Sequence, residues 1–259
     1  MTEIPSMNHM PMLRGWRAEV GMLAPLSWMY REYEEVAPEG VRFSLAPLGH
    51  EAHTREALKE LADAVETEAK KLNQGRKCDV ICLGCTSGGF IEGPGYDQKI
   101  IEKIEKASGS PGLTTITCVL EVFKDMGIKK ISLVGPYPDF TFEEEVKFLK
   151  YHGIETLYWK GLGLVEMSDY WEFNMNPYSA YRLVKEGASA APDADCVFLT
   201  CMVSPLLGIA DTLEQDIGKP VISSQSATLY GILKKVGIPD PVYHYGEALR
   251  RERLPEKCR

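Results

Sequence analysis

Two cysteines in this sequence stand where a thiol can do chemistry. The segment DVICLGCTSGG, residues 79–89, is a short apolar run that ends on Cys85 and passes into Thr86, Ser87, Gly88 and Gly89. Two hydroxyls and a run of unencumbered backbone N–H groups at the start of a helix suit a carboxylate or phosphate, and the same surroundings make thiolate available. A second segment, DCVFLTCMV at residues 195–203, repeats the pattern of aspartate, three mostly apolar residues, leucine, one small residue and cysteine. Its thiol is Cys201, at an offset of 201 − 85 = 116. Two thiols facing each other across a cleft can take a proton from one face of a carbon beside a carboxylate and return one to the other, which is racemisation. Alternatively, one thiolate adds to an activated double bond and is expelled after rotation, which is cis–trans isomerisation. In either case fixed N–H and O–H donors stabilise the enolate-like charge, and the chemistry needs no metal and no cofactor.

The elements that would position these thiols follow from pattern. Apolar β-rich runs alternate with helical periodicity along the chain, the signature of βαβ construction and parallel sheets. Strands are expected at 20–23, 41–46, 79–83, 113–115, 131–134, 156–159, 196–199, 220–222 and 242–245. The clearest helix is HTREALKELADAVETEAKKLNQG, with Ala57, Leu58, Leu61, Ala62, Val65, Ala69 and Leu72 on one stripe and a stop at Gly75. In TFEEEVKFLKYHG, Thr141 is expected to cap a helix whose acidic run Glu143–Glu145 meets the positive end of its dipole. The tail RRERLPEKCR reads as polar and frayed. A second repeat pairs GSPGLTTITCVLEVFKDMGI with GKPVISSQSATLYGILKKVGI at an offset of 218 − 109 = 109. Two repeated segments in one order imply two related α/β halves, each a doubly wound parallel sheet, with one cysteine of each at the carboxyl end of a central strand, where such sheets hold ligands. The expected division is residues 1–122 plus 224–259 for one domain and 123–223 for the other.

Composition narrows the function classes. The chain has 259 residues, 44% hydrophobic and 25% charged, as in ordinary globular proteins, and a formal net charge of −8. No cluster of Lys and Arg offers a surface to nucleic acid or an anionic membrane. No signal-peptide pattern and no apolar run long enough to span a bilayer is visible, so a cytoplasmic location is expected. Seven cysteines, an odd number, argue for free thiols over a disulfide framework.

Other motifs carry less. Cys78, Cys82, Cys118 and Cys196 read as small buried hydrophobes. CLGC, residues 82–85, has redox or zinc spacing, but it straddles a strand end, where Cys82 and Cys85 point to opposite faces, and no second pair completes a tetrahedral site. HEAH, residues 50–53, is one residue short of the metalloprotease spacing and reads as the polar approach to the following helix. No nucleotide-binding glycine loop is recognisable.

In EVGMLAP, CTSGG, VGPYPDFTFEEEVKFL, KGLGL, PDADCVFLTC and GKPVISSQSATLYGIL, taken in order, the chain resembles the aspartate/glutamate racemase superfamily, and within it the maleate cis–trans isomerase and arylmalonate decarboxylase branch. The resemblance implies two α/β domains with the site between them, Cys85 and Cys201 as the catalytic pair, and Thr86 with Ser87 in the carboxylate cradle. It further implies a substrate hydrogen bond from Tyr137, which otherwise reads as a packing aromatic, and a backbone N–H from Met202. The turn after the first strand would place Pro25, Leu26 and Trp28 at the substrate, where maleate isomerases usually have an asparagine. A second family asparagine has no clear counterpart in LVEMSDYWEFNMNP. These departures imply a pocket more apolar than one for a four-carbon dicarboxylate. Arylmalonate decarboxylases typically have glycine at the position of Cys85, so two thiols favour an isomerase or racemase, with a decarboxylase using Cys201 as proton donor as the alternative. The partner implied is a small carboxylate, and enzymes of this kind are commonly small homo-oligomers.

Overall fold

The computed structural model describes residues 15–26, 31–74, 77–174 and 176–253. The first half comprises β1 (Ala18–Ala24), α1 (Arg31–Val36), β2 (Val41–Pro47), α2 (Arg55–Leu72), β3 (Val80–Leu83), α3 (Thr86–Phe90), α4 (Tyr96–Ser108) and β4 (Gly112–Thr114). From there α5 (Thr115–Met126) leads to β5 (Lys130–Gly135), α6 (Asp139–Tyr151), β6 (Glu155–Gly161), α7 (Met167–Asn174), α8 (Pro177–Ala190), β7 (Cys196–Leu199), α9 (Ala210–Ile217) and β8 (Val221–Ser223). The chain ends with α10 (Ser224–Lys235) and α11 (Glu247–Arg250). The two sheets run β2-β1-β3-β4 and β6-β5-β7-β8, and every strand pairing in them is parallel. They therefore share one topology, as the sequence repeat implies.

The repeated residues do the same work twice. Asp79 accepts the Glu19 N–H at 2.7 Å, tying β3 to the start of β1; Asp195 accepts the N–H groups of Lys129 and Lys130, each at 2.8 Å, tying β7 to β5. At the 109-residue offset, Thr114 with Thr117 and Ser223 with Ser226 form equivalent capping boxes at the starts of α5 and α10. Glu105 accepts the Gly112 N–H and Glu214 the Val221 N–H, both at 3.0 Å. These polar side chains hold strand ends and helix starts together, which accounts for their recurrence.

One large core lies between the sheets, with Val20, Met22, Val80 and Cys82 on one side, Ile131, Leu133, Phe198 and Ile222 on the other, and α5 and α10 between them. Smaller cores under α2 and α4, and under α8 and α9, cover the outer faces. Leu58, Leu61 and Val65 on α2 have almost no exposed surface, and each contributes about 1.5–3 kcal/mol by burial. Between α5 and α10 the Thr228 hydroxyl donates to Thr115 at 3.0 Å, and Lys234 pairs with Glu121 and Asp125.

Four expectations need correction. Residues 242–245 form a turn and no strand; His244 has φ +77, which pleated pairing does not accommodate. Thr141 does not cap α6, which begins after Pro138; Thr141 lies inside the helix, fully buried. Arg253 is buried too, its guanidinium held by the carbonyls of Ile238, Leu249 and Asp240, so the described part of the tail is anchored. The α2 C-cap is Asn73, and Gly75 lies outside the described residues.

Candidate active site

Both sheets present their central strand ends to one place. In each the strand order reverses beside the first strand, at β1/β3 and at β5/β7, and such switch points open a crevice at the carboxyl ends. Cys85 follows Gly84 beyond β3 and is the N-cap of α3 (φ −140°). Its Sγ accepts the Gly88 N–H at 3.3 Å and lies 3.8 Å from the Ser87 hydroxyl. The Thr86 hydroxyl donates to Ser224 at 2.9 Å, fixing this turn to the start of α10.

Cys201 follows Thr200 beyond β7 with φ +84°, a left-handed conformation that costs a residue with a side chain on the order of 1 kcal/mol. The turn is over-determined around it: the Ser204 N–H donates to the Cys201 carbonyl at 3.2 Å and the Ser204 hydroxyl to Thr200 at 2.8 Å. The equivalent positions of the two halves thus hold their thiols on different backbones, one capping a helix and one in a strained turn.

Both thiols line a single cavity of about 30 Å³, with room for no more than about two or three water molecules. Pro25, Thr86, Ser87, Tyr137 and Met202 also line it. The Met202 thioether lies 3.5 Å from the Thr228 hydroxyl. Leu26 instead packs, partly buried, against the large core, and Trp28 lies outside the described residues. Cys82 is in the core between the sheets and Cys85 in the outer one, so CLGC does not form a facing pair. Among the described residues no group of His, Cys, Asp and Glu could hold a metal ion.

Burial pushes both thiols up, Cys201 to about 12. The Gly88 N–H and Ser87 oppose this at Cys85; at Cys201 the Val203 N–H and the Tyr137 hydroxyl do so, while a charge on Cys85 raises it further. A second thiolate is therefore disfavoured beside a first, so ionising one thiol leaves the other protonated, a base beside an acid.

Two histidines were not legible as site residues. His50 and His53, between β2 and α2, line the cavity with Met167 and Tyr170 of α7. HEAH is thus part of a buried wall. His53 is 3% exposed and stacks on Tyr137 at 4.4 Å and on Tyr170 at 5.7 Å between ring centres. The wall is closed by a clasp between the halves: Ala52 bridges to Glu166, the His53 N–H donates to the Val165 carbonyl at 2.6 Å, and the Met167 N–H to that of Glu51 at 3.1 Å. Glu145, on α6, is fully buried and accepts from the Thr200 hydroxyl at 2.8 Å.

Fold and site together define a class: two doubly wound halves of the same topology, with a thiol from each at a shared crevice. The family model described as arylmalonate decarboxylase matches residues 21–249, and the chain belongs to that family. It is 25% identical to the maleate isomerase of Geobacillus stearothermophilus, over 89% of this chain and 96% of that one. It is also 25% identical to the arylmalonate decarboxylase of Bordetella bronchiseptica, over 75% and 80% of the two chains. Among solved structures, the maleate isomerase Iso from Pseudomonas putida S16 superposes with a TM-score of 0.81 at 22% identity, covering 90% of this chain and 98% of that one.

Proposed function

We propose that the protein is a cofactor-independent isomerase or racemase acting at the α-carbon or double bond of a small carboxylate through Cys85 and Cys201. The observation that carries this reading is that both thiols line one cavity, each supplied by the corresponding strand end of its half. The substrate carboxylate is received by the Thr86–Ser87 turn, the Tyr137 hydroxyl and the Met202 N–H, with Pro25 against its carbon skeleton. One thiolate then removes the α-proton while the other thiol delivers a proton to the opposite face. With an unsaturated substrate, a C–S bond forms at one alkene carbon and the π pair moves toward the carboxylate; rotation about the resulting single bond and loss of the thiolate restore the alkene. The division into 1–122 plus 224–259 and 123–223 fits the two sheets, and the six free cysteines among the described residues suit the cytoplasm. A small homo-oligomer is the expected assembly.

Proton NMR in D₂O with maleate, aspartate, glutamate, hydantoins, arylpropionates and arylmalonates tests the reading. Deuterium entering an α-carbon, or a cis signal becoming trans, is the expected result. Cys85→Ala and Cys201→Ala should each lower turnover by about a thousandfold or more with unchanged melting; two fully active single variants would overturn the assignment. Family membership gives the second reading a footing: CO₂ release from a disubstituted malonate, retained in Cys85→Gly and lost in Cys201→Ala, would make the protein a decarboxylase with Cys201 as proton donor.

A further inference from the structure

The cavity wall formed by His50 and His53 contains polarity that the thiol chemistry does not use. His53 is buried against the rings of Tyr137 and Tyr170, and its Nε2 has no hydrogen-bond partner. His50, at 5.9 Å in an edge-on arrangement, has neither ring nitrogen partnered. Both line the cavity that holds the thiols. A buried nitrogen without a partner is costly, on the order of 1–3 kcal/mol, and two together on one cavity wall indicate a group that arrives with the ligand.

We infer that His53, with His50 beside it, is a specificity-determining residue that receives a second, anionic group of the substrate, and that a proton is taken up as this group binds. The inference rests on the proposed carboxylate reading of the same site.

The surroundings account for the direction. Without ligand, burial lowers His53 to about 3 and His50 to about 4, and each histidine's charge disfavours the other's. The groups facing them do not supply a resident counter-charge. Tyr137, Tyr170 and both thiols are raised by burial and thus neutral at pH 7. Glu145, behind Tyr137, is pushed up to about 8. Arg55, two residues on, is engaged by the Ile91 carbonyl and by Glu92 and Glu144. The imidazoles are therefore neutral in the free site, and an incoming anion favours their charged form. The stacked tyrosines fix the plane of the His53 ring, so the imidazolium presents its N–H in one direction.

Succinate and butyrate, which share a cradled carboxylate and differ at the other end, are suitable unreactive probes. Titration calorimetry near pH 6 in two buffers of different ionisation enthalpy should show succinate binding with net uptake approaching about one proton and butyrate with none. In His53→Gln the uptake should fall and succinate affinity should drop about tenfold or more, with butyrate affinity changing less than about twofold. His53→Phe, which keeps the stack, should behave alike and serves if the glutamine variant misfolds. Succinate binding without uptake, uptake unchanged in both variants, or no succinate binding would overturn the inference. Failure of the thiol reading would show separately, as turnover surviving in the alanine variants of Cys85 and Cys201 whatever the calorimetry gives.

Discussion

Glu145 carries a carboxyl group in a place where ionisation is expensive. One oxygen accepts from Thr200, the other has no partner, and burial pushes its pKa to about 8 from an ordinary 4.5. Because the folded value lies above the unfolded one, its contribution to stability is full below about pH 4.5 and is lost as pH rises through about 8. Glu145→Gln, which can keep the Thr200 hydrogen bond, should flatten the decline in stability across that window, by on the order of 1–4 kcal/mol between its ends; urea unfolding at several pH values measures it. The residue was legible after a fashion. In FTFEEEVKFL its spacing from Phe142, Phe148 and Leu149 puts it on the apolar stripe of α6, and only the neighbouring acids disguised it as one of three helix-dipole partners. The thiols were plainer, since strand end, polar turn and repeat all pointed at them. His50 and His53 had no such signal: they are buried by a loop from the other half, which local sequence does not record.

At the level of elements, Tyr137 is held by the strand beside it. A Cβ on Gly161, at the end of β6, would come within 2.3 Å of the Tyr137 carbonyl oxygen and 2.7 Å of the Phe142 ring. Gly161→Ala must therefore move the turn that carries Tyr137. We expect a loss of about 1–3 kcal/mol in stability together with a fall in kcat/KM, read by thermal melting and steady-state kinetics on whichever carboxylate the NMR panel identifies. Eight strands were legible in outline because each is apolar and β-rich between turn signals, with ends within about two residues of the observed ones. The ninth expectation, at residues 242–245, failed for a physical reason: Val242 is buried against the core, so it is apolar as a strand residue would be, but the backbone turns at His244 and pairs with nothing in either sheet.

Across the whole molecule the two halves meet where α10 lies on α5. A Cβ on Gly231 would fall 2.4 Å from the Cys118 sulfur, so the helices cross as closely as they do because this residue has no side chain. Gly231→Ala should spread them, lowering stability by about 1–3 kcal/mol, and adding Cys118→Ala should recover part of the loss, a non-additivity that a double-mutant cycle in denaturant would register. The clasp that joins the halves over the cavity has a different consequence, one of timing. The cavity beside it measures about 30 Å³, and we expect a carboxylate to enter only as the Ala52–Glu166 bridge gives way. Capture then has a speed limit set by the protein: in stopped-flow mixing, the observed rate should level off with rising ligand concentration, and at the same ceiling for chemically different ligands, because what is being timed at the plateau is the parting of two loops.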